Sequence, residues 1–305
     1  MTICTLTLSP ALDIEYHARA VTVGLNRTRE HQISAGGKGI NVSRALLRCA
    51  GKDGRRDFNL RTVAPLGGPT GDMLARLLAE EGIPVTAVPI RENTRTNVSL
   101  IPDRGTSLEI NAPGTPIGDR FPQITEECLR DLGPGDVLVI AGSCPSDVPK
   151  SAPAVLVGLA KQRGITAVLD CDGEALGHAV NADIVPDLIK PNREELAALA
   201  ELPKDADTDD LRRAAESLGI ENVITTMAGD GAMLTSRAWD GRTMKTVFFP
   251  TEKRPVIRLK GAGDTFLGAF VYAYYVRGGS PEEAMKSAAA AAGSYVSGGE
   301  SASPR

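Results

Sequence analysis

The sequence predicts an α/β protein: a mostly parallel sheet with helices on both faces, carrying a small antiparallel β lid. Three observations predict it. From about residue 130 onward, strand-length apolar runs alternate with helix-length segments, the rhythm of βαβ units. Two glycine-rich stretches, Ala35-Gly36-Gly37-Lys38-Gly39-Ile40-Asn41 and Lys260-Gly261-Ala262-Gly263-Asp264-Thr265, run straight into helix-compatible sequence. The N-terminal third instead holds β-compatible stretches at 28–34, 96–101 and 106–111 that are not spaced by helices.

The elements follow in order. Met1-Thr2-Ile3-Cys4-Thr5-Leu6 lacks a basic n-region and reads as a first strand, not a signal peptide. Asp13 follows Ser9-Pro10-Ala11-Leu12 and is expected at that strand's end. The stretches at 28–34, 96–101 and 106–111 make the lid. Its segments, about 13–35 and 91–112, interrupt a single domain spanning 1–305. Lys52-Asp53-Gly54-Arg55-Arg56-Asp57 is a polar cluster expected in an exposed loop. Strands are expected at 136–142, 165–170, 184–189 and 221–226, and helices at 152–163, 194–202 and 211–218. Residues 298–305 read as a flexible end.

Composition narrows the function. A chain of 305 residues, 42% hydrophobic, is long enough for a large core. A formal net charge of -4 argues against general nucleic-acid binding, so any anionic ligand needs a local basic cluster. The apolar run at 266–276 is too short to span a bilayer. Cys4, Cys49, Cys128, Cys144 and Cys171 are scattered and odd in number, which suits reduced thiols in the cytoplasm. His17, His31 and His178 lie far apart, and no Cys-x-x-Cys pair occurs, so a zinc site is not expected.

The loop at 260–265 carries the sharpest chemical signal. Gly261 and Gly263 let the backbone turn tightly and approach a ligand. A helix opening there aims free N–H groups and a positive dipole end at a phosphate. Asp264 stands at the same end, placed to receive a proton; a plain helix cap is the competing reading. The other glycine loop is no Walker A loop, since Gly39 follows Lys38. It suits a sugar site: Gly37 and its neighbours permit close approach, Asn41 offers a donor and an acceptor, and Lys38 supplies charge.

Further candidates are weaker. Asp13 could accept hydrogen bonds from sugar hydroxyls or be a turn aspartate. Arg95, with Lys38 and Arg27, could meet a doubly charged sugar phosphate, although a lone arginine is commonly a solvated one. In Lys190-Pro191-Asn192-Arg193-Glu194-Glu195, Asn192 and Glu195 have the spacing of a capping box; alternatively Glu195 organises Mg²⁺ through water. Met227-Ala228-Gly229-Asp230-Gly231 could hold a nucleotide or be a hairpin turn.

Together these pieces resemble the ribokinase-like superfamily of carbohydrate kinases, and within it the phosphosugar branch. The resemblance covers nearly the whole chain. It rests on Ser9-Pro10-Ala11-Leu12-Asp13, the Gly36-Gly37-Lys38-Gly39-Ile40-Asn41 loop, Gly67-Gly68-Pro69-Thr70-Gly71 and Asn111-Ala112-Pro113-Gly114. It continues through Ala141-Gly142-Ser143-Cys144-Pro145, Asp170-Cys171-Asp172-Gly173, Lys190-Pro191-Asn192 and Gly261-Ala262-Gly263-Asp264. The resemblance implies a three-layer αβα core, a β lid that forms a homodimer, and ATP with Mg²⁺. By position Asp264 matches the family's general base, and Gly261, Ala262 and Gly263 its anion hole. Asp13, Gly37, Lys38, Asn41, Arg95 and Ser143 match sugar-phosphate contacts. Lys190, Asn192, Gly229, Gly231, Ala290 and Ser294 match the nucleotide side, and Glu195 the residue associated with metal.

The implied reaction is ATP-dependent phosphorylation of a hexose phosphate, with fructose 1-phosphate first and tagatose 6-phosphate or fructose 6-phosphate as alternatives. A non-catalytic sugar-phosphate-binding regulator on the same fold is a different class. Three features depart from the family. Arg258-Leu259-Lys260 stands where hydroxyl and small apolar residues are usual, which puts monovalent-cation contacts in doubt. The loop from Lys52 to Phe58 is longer than usual, and the chain stops soon after Tyr295.

Overall fold

The computed structural model describes residues 1–54, 56–103, 106–237, 239, 242–251, 255–257 and 259–298. The first half contains β1 (Thr2–Thr7), β2 (Ala11–Ala18), β3 (Glu30–Gly36), α1 (Lys38–Lys52), β4 (Asn59–Leu66), α2 (Gly68–Glu80), β5 (Val85–Pro89), β6 (Arg95–Pro102), β7 (Leu108–Ile110), α3 (Phe121–Leu129) and β8 (Val137–Ala141). The second half contains α4 (Ala152–Gln162), β9 (Thr166–Asp170), α5 (Gly173–Val180), β10 (Leu188–Ile189), α6 (Arg193–Leu199), α7 (Thr208–Ser217), β11 (Asn222–Thr226), β12 (Gly231–Ser236), β13 (Lys245–Pro250), α8 (Ala262–Val271) and α9 (Pro281–Val296).

The larger sheet has nine strands in the order β13-β12-β11-β10-β9-β8-β1-β4-β5. Its pairings are parallel from β5 through to β11 and antiparallel at β11–β12 and β12–β13. Successive side chains of the central strands pack on opposite faces, as a pleated sheet covered on both sides demands. Ile3, Val137 and Val139 join the core under Val42 and Leu46 of α1, Phe270 of α8 and Met285 of α9. Cys4, Leu138 and Ile140 join Ile124 of α3, Leu156 of α4, Leu176 of α5 and Leu196 of α6. Three layers result, with the parallel strands ending together at one edge.

The smaller sheet has the order β3-β2-β6-β7. Two of its pairings, β2–β3 and β6–β7, are antiparallel, and β2 runs parallel to β6 between them. The N-terminal third is not all lid, however. β4 and β5, separated by α2, lie in the larger sheet beside β1. The sequence hid this because α2 buries only Gly71, Leu74 and Leu78, a narrow stripe, and Arg61 and Thr62 interrupt the apolar run of β4.

Asp13 also differs from expectation. It is not at the end of the first strand but within β2, paired across to Ser34 and Asn97. The chain leaves β1 at Thr7, and Pro10, which has no N–H, separates the two strands. The expected strand at 184–189 shrinks to Leu188–Ile189. The stretch at 106–111 is strand only over Leu108–Ile110. The polar cluster after α1 has contacts of its own: Tyr272 donates to Asp53 at 2.8 Å, and Arg277 pairs with Asp53 and Asp57. Arg55 of that cluster, Arg258, and the end from 299 to 305 lie outside the described residues. Among the described residues no helix is long and apolar enough to cross a membrane.

Candidate active site

Two helix N-termini converge at the carboxyl edge of the sheet. α1 starts behind Gly37, whose φ of 138° suits only glycine. The Ile40 N–H donates to Thr7 Oγ1 at 3.0 Å, pinning the first turn of α1 to the end of β1. A Cβ at Gly39 would sit 2.5 Å from the Leu6 carbonyl oxygen, so helix and strand can meet this closely only with glycine there. Beneath the helix a buried chain of hydroxyls, Thr5 to Ser43 to Thr62, links α1 to β1 and β4 at 2.7 and 2.8 Å.

α8 starts behind Gly261, which is left-handed at φ 88°, and no side chain caps it. The Ala262 N–H donates to the Leu259 carbonyl at 3.1 Å, and the next N–H groups of the first turn face outward as an anion site would need. The rest of α8 is buried on every side, wedged against α1 and α9. A Cβ at Gly268 would lie 2.5 Å from Ala45 Cβ, so close packing on α1 sets where the α8 N-terminus stands.

Asp264 lies in that first turn and is only 8% exposed. Asn41 Nδ2 donates to its Oδ2 at 2.7 Å, while Asn41 Oδ1 accepts from Arg44 at 2.7 Å. Arg44 in turn donates to the Ala35 carbonyl and pairs with Glu81. Burial, and after it the charge of Asp170, push the Asp264 carboxyl above its ordinary value; Asn41, Lys190 and Lys38 pull it partway back. The result is a carboxylate more basic than a solvated one, facing the uncapped end of a helix.

Asp170, at the end of β9, organises the cations. Lys38 Nζ approaches its Oδ1 at 3.5 Å and Lys190 Nζ its Oδ2 at 3.2 Å. Burial works against the Lys38 ammonium, but Asp170, then Asp264, Glu195 and Asp172, outweigh it and hold Lys38 protonated above its ordinary value. Lys190 is 7% exposed, and its ammonium lies 3.5 Å from where a Cβ would stand on Gly263. One buried positive charge, Lys190, and one partly exposed, Lys38, thus flank the anion-accepting loop. Asp170 was not singled out from the sequence as a site residue. Its signal was a carboxylate closing an apolar strand, at the sheet edge where ligands gather.

The nucleotide-side candidates assemble beyond Lys190. Asn192 bridges to Thr226, and the Thr226 N–H donates to the Pro191 carbonyl at 3.0 Å. Asn192 and Glu195 form the full capping box, each side chain accepting from the other's N–H at 2.8 Å. The turn at Gly229 and Gly231 follows β11 and reverses the chain into β12, so the hairpin reading holds there. Gly231 has φ 126°, and a Cβ would meet the Phe249 carbonyl oxygen at 2.2 Å. Ala290 is exposed on α9, and Ser294 lines a small cleft with Ala45, Arg48 and Thr265 between α1, α8 and α9.

The lid supplies the other wall. Asp13 is 13% exposed at its side chain; Asn97 Nδ2 donates to its Oδ1 at 2.8 Å, and Lys260 Nζ pairs with its Oδ2 at 2.9 Å. A Cβ on Gly36 would collide with the Asp13 carboxylate, which brings the first glycine loop against the lid. Arg95 donates to the Ala112 and Ser9 carbonyls at 2.7 and 3.0 Å, and its Nε is buried without a hydrogen bond. Ser143 follows Gly142, whose Cβ position lies 3.9 Å from Lys38 Cβ. A cleft of about 190 Å³ opens at the lid edge, lined by Asp13, Ser34, Asn41, Arg44, Lys260 and Tyr295 among others. Lys260 is the second residue that the sequence did not mark as a site residue.

Comparisons with known proteins bear on the family and the fold. The model of the pfkB family carbohydrate kinases matches residues 9–304. The chain is 33% identical over 273 residues to a 1-phosphofructokinase of Bacillus subtilis (strain 168), covering 88% of this chain and 84% of that one. It is 32% identical over 276 residues to the ATP-dependent 6-phosphofructokinase isozyme 2 of Escherichia coli (strain K12), again covering 88% and 84%. Among solved structures, phosphofructokinase-2 from Escherichia coli in complex with fructose-6-phosphate superposes with a TM-score of 0.86 at 28% identity, over 96% of this chain and 93% of that one. A ribokinase from Arabidopsis thaliana, 23% identical over 96% and 92%, shares the fold with a TM-score of 0.69.

Proposed function

Because the chain belongs to the pfkB family of carbohydrate kinases, we propose that it transfers the terminal phosphoryl group of ATP to a hexose phosphate, converting fructose 1-phosphate to fructose 1,6-bisphosphate. The observation that carries the reading is Asp264, buried at the uncapped N-terminus of α8 and bonded to Asn41. In this reading Asp264 takes the proton of the attacking hydroxyl. The N–H groups behind Gly261, Ala262 and Gly263 meet the charge on the transferring group, and Lys38 and Lys190 complete the positive field. Phosphoryl transfer depends on in-line placement and charge neutralisation more than on a strong base. A carboxylate therefore suffices as the base.

The acceptor in this reading lies between Asp13 on the lid and Asp264 on the core, with Gly37, Lys38, Asn41, Arg95 and Ser143 around it. The nucleotide lies toward Lys190, Asn192, Gly229, Gly231, Ala290 and Ser294. For Mg²⁺ the fit is indirect. Among the described residues no cluster of three or more acidic, histidine or cysteine ligands exists, and one oxygen of Glu195 is taken by the capping box. Glu195 therefore suits an ion held mainly by nucleotide phosphates and water. Bound there, the ion would neutralise phosphate charge.

We further propose that residues 1–305 work as one unit, with lid segments about 13–35 and 91–112, and that two copies associate through the lid. The five free thiols suit a cytoplasmic setting. A product-resolved ATP assay across fructose 1-phosphate, fructose 6-phosphate and tagatose 6-phosphate tests the acceptor. Fructose 1-phosphate is expected to show the highest kcat/KM. A preference for either other sugar would transfer the assignment to it, and no turnover of any would favour a regulator that only binds.

A further inference from the structure

Lys260 stands immediately before Gly261, at the shoulder of the loop that opens α8. Its carbonyl oxygen accepts from the Tyr295 hydroxyl at 2.8 Å, which anchors its backbone to α9. Its ammonium crosses to the lid and pairs with Asp13 Oδ2 at 2.9 Å. This contact is the meeting of lid and catalytic loop, on the side where the proposed acceptor enters.

Asp13 does not need Lys260 to hold it in place. Its other oxygen accepts from Asn97, and Asn97 is itself fixed by accepting from the Ala112 N–H at 3.2 Å. Nor do the neighbouring cations have the same freedom. Lys38 and Lys190 each pair with one oxygen of Asp170, a carboxylate that is 1% exposed and fixed in the core, so each is tied to a counterion with little access to other donors. The terminal nitrogens of Arg95 are occupied by two carbonyl oxygens. Lys260 differs: its side chain is 42% exposed, it ends in a flexible point charge with three donors, and its counterion is also partly solvated.

We propose that Lys260 is an acceptor-binding residue that exchanges partners when the sugar phosphate arrives. Its ammonium passes from Asp13 to the phosphate already carried by the acceptor. Asp13 is thereby released to accept hydrogen bonds from the sugar's hydroxyls. The exchange balances charge. The dianion entering the cleft gains a cation, and the carboxylate losing that cation gains hydroxyl donors, so neither is left buried and unpaired. A free hexose supplies the hydroxyls without the phosphate and gives Lys260 no reason to move. Lys260 would then favour phosphorylated acceptors over free sugars. This inference rests on the hexose-phosphate reading above.

The test is steady-state kinetics of wild type, Lys260→Met and Lys260→Arg, with fructose 1-phosphate, fructose 6-phosphate, free fructose and ATP each varied, and unfolding of every variant followed in parallel. Loss of one charge-assisted contact should raise KM for the preferred sugar phosphate roughly 10- to 100-fold in Lys260→Met. KM for ATP should stay within about two-fold, and kcat/KM for free fructose should be unchanged or improved, since hydrogen bonds to phosphate contribute nothing there. Lys260→Arg should recover most of the lost affinity. An equal loss for phosphorylated and free sugar would mean that Lys260 acts only on Asp13, and would overturn the proposal. So would an unchanged sugar-phosphate KM in Lys260→Met, or a loss confined to ATP. If the wild type itself turns over free fructose and no sugar phosphate, the acceptor reading fails, and this inference with it.

Discussion

The Asn41 amide donates to Asp264 Oδ2 at 2.7 Å, and its own oxygen is held by Arg44, so the donor end of the amide is turned toward the carboxylate. One residue from the glycine loop of α1 thereby holds the proposed base of α8, 223 positions away. The hydrogen bond favours the ionised form of Asp264 and opposes the burial that raises its pKa.

Asp264→Asn should lower kcat by roughly 10²- to 10⁴-fold and leave both KM values little changed, as removal of a general base does. Stability should move the other way. The folded-state pKa of Asp264 is raised, so its contribution to folding is complete at low pH and is lost as pH rises through that pKa. The asparagine does not ionise and escapes this loss. Melting temperatures of both proteins across pH should show the variant more stable near neutrality, the gap closing toward about pH 4. A variant with near-native kcat would remove Asp264 from the mechanism.

Asn41→Ala should take away a hydrogen bond to the charged carboxylate, worth roughly 1.5–3 kcal/mol, about a 10- to 100-fold change. The pKa of Asp264 should then rise further, so the acid limb of the kcat–pH profile should shift to higher pH. A profile that falls in height without shifting would show Asn41 acting on the substrate and not on Asp264.

Much of this arrangement was readable from residue order, and the unread parts have physical reasons. Gly261-Ala262-Gly263-Asp264 predicts a helix N-terminus because only glycine accepts the conformation at 261, and the structure has φ 88° there. The pattern of strands and helices from 130 onward is local and survives folding. What local sequence could not show is pairing over distance. Nothing near Asp170 says that Lys38, 132 positions earlier, and Lys190 share it. Nothing near Lys260 announces Asp13. Asp13 falls within β2 and not at the end of β1, because a short break at Ser9-Pro10 can bend one strand or separate two, and local sequence does not say which.

Asp170→Ala should be costly. Lys190 is buried, and removing its counterion leaves an unpaired ammonium, typically a loss of about 3–5 kcal/mol. With the negative charge of Asp170 gone, the Asp264 pKa should also fall toward its ordinary value, since Asp170 is one cause of its elevation. Chemical denaturation measures the first effect and the acid limb of kcat the second. Full stability in the variant would show that water enters and solvates Lys190.

The lid offers the last test. β7 is an edge strand, and Leu108 and Ile110, two residues apart and so on one face, are 47% and 56% exposed. Val23 and Leu25, in the connection between β2 and β3, are also exposed. An unpaired edge bearing apolar side chains invites association unless something covers it. A second copy supplies that cover in the proposed dimer. Light scattering at working concentration should therefore give about twice the chain mass. Ile110→Lys should shift the population toward monomer by placing a charge in the contact, with little effect on the melting of the core, since β7 belongs to the smaller sheet. A wild-type monomer with full activity would show that the lid closes over its own cleft without a partner.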